Sequence, residues 1–163
     1  MPVVSDTGPL IAFAKADCLA ILKRMFGQIH IPPAVYRELM AKSGPEAERL
    51  DYALFDFIIT TAAPSIPAEV EEATSRLGPG EKQAIALAYE QGALLLMDDQ
   101  QGRSAARRLG VRVTGVVGVL IGAKEAGLLP SVREILDTMR IQGCWLSDAV
   151  LEAAARQAGE TGR

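Results

Sequence analysis

Four acidic residues far apart in the chain, Asp6, Glu38, Glu81 and Asp98, each stand where a strand would hand over to a helix or where a helix would begin. Asp6 follows Val3-Val4 in Ser5-Asp6-Thr7-Gly8-Pro9, and Asp98 ends the apolar run Ala93-Leu94-Leu95-Leu96-Met97, with a second acid, Asp99, behind it. In a parallel α/β unit, strand C-termini and helix N-termini share one rim, and ligands bind in the crevice beyond it. Acids at these points can therefore converge in space. Two carboxylates about 4 Å apart repel by roughly 4 kcal/mol at an effective dielectric near ~20. A cluster of four or five then protonates or holds a cation, and oxygen-only ligands favour Mg²⁺ or Mn²⁺ over zinc.

Each acid alone has an ordinary explanation. Taken alone, Asp6 reads first as a helix cap, Glu38 as a solvent-facing residue in a second helical turn, and Glu81 as an acid complementing a helix dipole. Asp98 and Asp99 are harder to dismiss, because an apolar strand ending in two adjacent acids puts one of them on the rim whichever way the pleat falls. The other remains free to cap the next helix. Together the set asks for a repeated coincidence at one rim.

The elements that must position these acids follow from periodicity and punctuation. Val3-Val4, Gln28 to Ile31, Phe57 to Thr60, Ala93 to Met97 and Val111 to Thr114 read as strands. Helices are expected from near Pro9, from Pro32-Pro33 through Val35, Tyr36, Leu39 and Met40 to a close at Ser43-Gly44-Pro45, from Pro45 to about Tyr52, over Glu81 to Gln91 with Gly92 as stop, over Arg103 to Leu109, and over Val116 to Ala126. C-terminal helices should run from about 130 to 158, with Ser147 capping the last. Strands alternating with helices imply an α/β fold with a mainly parallel sheet and helices on both faces.

The 163 residues, 49% hydrophobic, suit a single domain, 1–163, with its own core. Cys18 and Cys144 lack the spacing of a zinc or redox motif, which fits a reducing compartment; Cys18 reads as a small core residue of the first helix. Without a basic, apolar leader or an apolar run near the ~20 residues that cross a bilayer, a soluble cytoplasmic protein with no membrane role is expected. The net charge of −3 argues against a protein that simply coats nucleic acid. Yet Arg103, Arg107, Arg108 and Arg112 follow the Asp98-Asp99 pair, and Arg103 and Arg107 share a helical face. Such cations read either as phosphate contacts or as a solvated helix face. His30, the only histidine, lies inside a strand and reads as a satisfied, partly buried imidazole. Gly78 and Gly80 form a turn rather than a phosphate loop, since no Gly-Lys-Ser/Thr follows. Trp145 and Leu146 either pack under the last helix or form a partner surface, and packing is the reading preferred.

Ser5-Asp6-Thr7-Gly8-Pro9-Leu10-Ile11, Pro32-Pro33-Ala34-Val35-Tyr36-Arg37-Glu38-Leu39, Gly80-Glu81-Lys82-Gln83-Ala84-Ile85-Ala86-Leu87-Ala88 and Leu95-Leu96-Met97-Asp98-Asp99 occur in that order. The ordered set resembles the PIN-domain nucleases, in particular their VapC-like prokaryotic branch. The resemblance implies a three-layer α/β/α sandwich and Mg²⁺- or Mn²⁺-dependent cleavage of RNA. It gives Asp6, Glu38, Glu81 and Asp98 as catalytic and metal-binding acids, Asp99 as an extra or alternative ligand, and Thr7 as the hydroxyl beside the first acid. Arg103 and Arg107 would contact substrate. It further implies a homodimer silenced by a small antitoxin protein, the toxin of a type II toxin–antitoxin pair. Glu81 stands where many relatives have aspartate, and Met97-Asp98-Asp99 replaces a threonine and aspartate pattern.

Other classes fit less well. A catalytically silent module binding nucleic acid or protein would keep the fold without the metal chemistry. A phosphoacceptor receiver domain needs a lysine after a late strand, and Val113-Thr114-Gly115-Val116 offers none. A phosphatase built on an aspartate pair around one residue meets glycine at position 8.

Overall fold

The computed structural model describes residues 1–160; the last three of the expected 1–163 span lie outside the described residues. Five short strands, β1 (Val3–Ser5), β2 (Ile29–Ile31), β3 (Ile58–Thr60), β4 (Leu94–Leu96) and β5 (Val113–Thr114), form one sheet in the order β3-β2-β1-β4-β5. Every pairing is parallel. Such sheets are covered on both faces, so their central strands read as continuous apolar runs. Val4, Ile29, Ile31, Leu95 and Leu96 are fully buried, each such side chain stabilising the fold by about 2 kcal/mol.

Among the described residues ten helices surround the sheet: α1 (Thr7–Lys15), α2 (Leu19–Phe26), α3 (Pro33–Met40), α4 (Pro45–Asp56), α5 (Ala68–Ala73), α6 (Pro79–Gln91), α7 (Gln100–Arg108), α8 (Val116–Glu125), α9 (Val132–Ile141) and α10 (Asp148–Gln157). The chain winds outward from β1 to β3 and then crosses back to β4 and β5 on the other side of β1. Right-handed crossovers that reverse direction put helices on opposite faces, as the packing of α1 on α4 and of α5 and α6 on α7 agrees. The α/β fold inferred from the sequence is the one observed. The reversal makes the β1/β4 edge a topological switch point, where ligand crevices open in such sheets.

Local signals account for many boundaries. Pro33, Pro45 and Pro79 each stand in a first helical turn, where the missing N–H costs nothing. Gly92 ends α6 with φ +61, a conformation glycine adopts freely. Ser147 caps α10 by accepting from Val150 N–H at 3.1 Å. Two expectations are corrected, and one short helix, α5, had not been read from the sequence. Cys18 is not inside the first helix: Asp17 turns the chain at φ +54 and Cys18 stands at the N-cap of α2, a helix the sequence reading lacked. The six-residue α5 follows the Ala62 to Pro67 loop. Trp145 is 86% exposed rather than packed under α10. Among the described residues no helix is long and apolar enough to cross a membrane.

Candidate metal and nucleic-acid site

β1 and β4 run in register, with Ser5 opposite Leu96, and Asp6 N–H donates to the Leu96 carbonyl at 2.9 Å. The residues that follow, Asp6 on one strand and Met97-Asp98-Asp99 on the other, therefore meet at the switch point. Asp6 is buried at 7% exposure. It stands at the N-cap position of α1 but makes no side-chain capping bond there, so helix capping does not explain it.

The surroundings of Asp6 raise its pKa from 3.8 to about 7. Burial is the largest cause, the Thr7 backbone N–H pulls the other way, and the charges of Glu81, Glu38 and Asp99 push it further up. Folding has thus gathered three carboxyl groups, from α3, α6 and the β4–α7 turn, around the buried Asp6 that follows β1.

Their neighbours fix these side chains. Thr7, half-buried at the start of α1, donates its hydroxyl to Glu38 Oε1. The Glu38 carboxylate lies over Gly80, where an added Cβ would stand 2.6 Å from both oxygens. A Cβ on Gly78 would stand 2.8 Å from Glu81 Oε1. The two glycines make room for two carboxylates, a purpose that reading them only as a turn did not supply. Gln83 was likewise not anticipated: its Oε1 accepts from Ala34 N–H at 3.0 Å, capping α3 from α6 and holding the helix of Glu38 against that of Glu81. The signal for it was indirect, since Pro32-Pro33 leaves α3 without a Ser, Thr, Asp or Asn cap.

The adjacent acids separate. Asp99 turns its charge towards Asp6 and accepts from Gly102 N–H at 2.7 Å, capping α7. Asp98 turns away to β5, accepting from Val116 N–H at 3.0 Å, and is not among the groups that act on Asp6. Although Asp98 is exposed as a residue, its carboxyl tucks against α8: desolvation raises its pKa, countered by the Val116 N–H and by Arg103. Arg103 also donates to the Met97 carbonyl at 3.2 Å, while Arg107, one turn on, is exposed. His30 lies 3.2 Å from Thr61 Oγ1 through Nδ1, a satisfied strand imidazole. Among the described residues, no three His, Cys, Asp or Glu side chains are posed to hold a metal ion together. Thr7, Gly102 and Val116 already engage three of the five acids.

The family described as PIN domain (DUF3368) matches residues 2–160. Among solved structures, a PilT N-terminus domain protein from the hyperthermophilic archaeon Sulfolobus solfataricus P2 is similar with a TM-score of 0.51 and 20% identity, over 77% of this chain and 95% of that one. No curated protein matches. The chain belongs to the PIN-domain family, whose members are generally nucleases that use divalent metals.

Proposed function

We propose that this chain is a divalent-metal-dependent ribonuclease that hydrolyses RNA phosphodiester bonds, with Asp6, Glu38, Glu81 and Asp99 as its ligand set. The carrying observation is a buried Asp6 with Glu81, Glu38 and Asp99 close enough to act on it: burial first, and then their charges, raise its pKa to about 7. Charge gathered this way is relieved by a proton or a cation, and the donors are oxygens alone, which suits Mg²⁺ or Mn²⁺. When bound, such an ion supplies Lewis acidity towards a phosphate oxygen and generates a nucleophile from water at neutral pH. The chain supplies orientation. Thr7 steers Glu38, the Gly102 N–H steers Asp99, and Asp98 with Arg103 forms a second wall. Arg103 and Arg107 face flanking phosphates, so binding weakens as salt rises.

The test is cleavage of single-stranded RNA in Mn²⁺ or Mg²⁺, with and without chelator, by the chain and by Asp6→Asn. Metal-dependent cutting that the substitution reduces at least ~100-fold supports the proposal. Equal rates for the two would refute it. The resemblance also carries a homodimer and a small antitoxin as partners. Exposed Tyr36, Met40 and Phe55 on α3 and α4 suit burial against another protein chain, which the solution mass of the chain and a short neighbouring reading frame would test.

One observation favours a second reading, a catalytically silent module: the acids are bonded to the protein rather than posed around one ion. RNA binding without cleavage in any divalent metal would select it.

A further inference from the structure

The Leu77–Gly80 turn has two sides. One faces the acids, with Glu81 Oε1 close to Gly78. The other, through Leu77, forms a wall of a groove of about 380 Å³ that runs between the end of α5 and α7, within the ~300–1,000 Å³ typical of ligand clefts. Ser75, Arg76, Gln101, Ser104 and Arg108 line it, with Glu72 on its edge. Gln101, Ser104 and Arg108 fall at i, i+3 and i+7, one face of α7 spanning about 10 Å. Arg103, turned to Asp98, occupies another face.

Both walls begin at the acid cluster. Glu81 follows the turn by one residue, and Asp99 caps the helix that carries Gln101. No acid of the cluster lines the groove, but both of its walls are joined to the cluster by two to four residues of chain, from Leu77 to Glu81 and from Asp99 to Gln101. Its lining is polar and cationic on balance, two arginines against one glutamate, with hydroxyl and amide donors between them. Among the described residues neither Arg76 nor Arg108 forms an ion pair. Guanidinium forks with neutral donors at intervals recognise phosphate. With no aromatic platform in the lining, the groove has nothing on which a base would stack, and its size admits one backbone rather than a duplex.

We infer that this groove carries the phosphodiester backbone of single-stranded RNA to one side of the scissile bond, with Arg76 and Arg108 pairing to phosphates and Ser75, Gln101 and Ser104 donating between them. The inference rests on the ribonuclease reading above. Its test is binding of a labelled 12-nucleotide single strand to full-length Asp6→Asn protein, followed by anisotropy over a series of salt concentrations. Adding Arg76→Ala and Arg108→Ala should weaken binding about tenfold and lower the salt slope by about 1.4, the loss of two phosphate contacts on a single strand. The Arg76→Lys, Arg108→Lys pair should restore the slope, and circular dichroism checks that each variant is folded. Unchanged affinity and slope, or weaker binding at an unchanged slope, would overturn the groove while leaving the ribonuclease reading standing. Absence of RNA binding by Asp6→Asn together with absence of metal-dependent cleavage by the parent would remove both.

Discussion

Thr7 at the start of α1 donates its hydroxyl to Glu38 on α3, tying the turn after β1 to a carboxylate 31 residues away. The bond leaves one oxygen of Glu38 free to face the cluster. Hydrogen bonds to charged groups contribute roughly 1.5–3 kcal/mol, so Thr7→Val should lower kcat/KM for RNA about 10- to 100-fold with a stability loss of only about 1 kcal/mol. Thr7→Ser, which keeps the hydroxyl, should recover most of the rate. A Thr7→Val protein as active as the parent would mean that Glu38 needs no steering.

Asp6 is costly to keep charged in the metal-free protein. Its folded pKa, about 7, lies above the ordinary 3.8, so the folded chain holds a proton that the unfolded chain has released. Stability in chelator should therefore fall as pH rises from about 4 to about 7, by about 2–4 kcal/mol. Asp6→Asn carries no charge to desolvate and should be the more stable protein at pH 8, while inactive. Urea denaturation of both proteins at pH 5 and pH 8 measures this, and a parent chain whose stability is flat over that range would contradict it.

The separation of Asp98 from Asp99 shows how far the sequence could be read. Leu94 to Leu96 announced a strand buried on both faces, and the pleat argument required that one of two following acids reach the rim. Which one depends on the turn after Met97, where the Gly102 N–H captures Asp99 and the Val116 N–H captures Asp98. Those partners lie on α7 and α8, and no local pattern at Asp98 names them. Pro33 and Gly92 marked helix ends because their backbone restrictions are local. α2 escaped because the turn before it rests on Asp17 at positive φ, a position that usually signals itself with glycine. α5 buries only Val70, too little for a periodicity to stand out. Trp145 was assigned to packing by its apolarity alone, yet exposed apolar surface is common on folded proteins.

Glu160 fastens the C-terminal segment to the rest of the molecule. Its carboxylate accepts from Lys124 Nζ and Val132 N–H, each at 2.7 Å, from Arg133 N–H at 3.0 Å and from Ser131 Oγ at 3.2 Å, at the N-terminus of α9. Burial raises its pKa, but the Lys124 bond and the two backbone N–H groups outweigh it and lower the value from 4.5 to about 2. The carboxyl is depressed on folding, so its contribution is present above about pH 4.5 and is lost as pH falls towards about 2. That contribution is about 3 kcal/mol, and its side chain is only 12% exposed. Glu160→Gln should lose a similar amount at pH 7 in urea titrations and show a shallower decline in stability between pH 4.5 and 2. Equal acid limbs for the two proteins would assign the tail's attachment to α10 packing instead.

Gly80 separates the demands of the helix from those of the site. It occupies the first turn of α6 and is buried, with the Glu38 carboxylate filling the space that a Cβ would take, 2.6 Å from both oxygens. Alanine is the better helix former by about 1 kcal/mol, and the obstructing atoms are the tip of a flexible side chain rather than backbone. Gly80→Ala should therefore fold with an unchanged or slightly higher Tm while pushing the Glu38 carboxylate off Thr7. The expected result is a loss of RNA cleavage of at least ~10-fold, the scale of one misplaced hydrogen-bonded ligand. Glycine here serves the carboxylate and not the backbone, because its φ is not in the left-handed region. A Gly80→Ala protein with full activity would show that Glu38 works from a position other than the one over Gly80, and a protein that fails to fold would show that the glycine is required by packing.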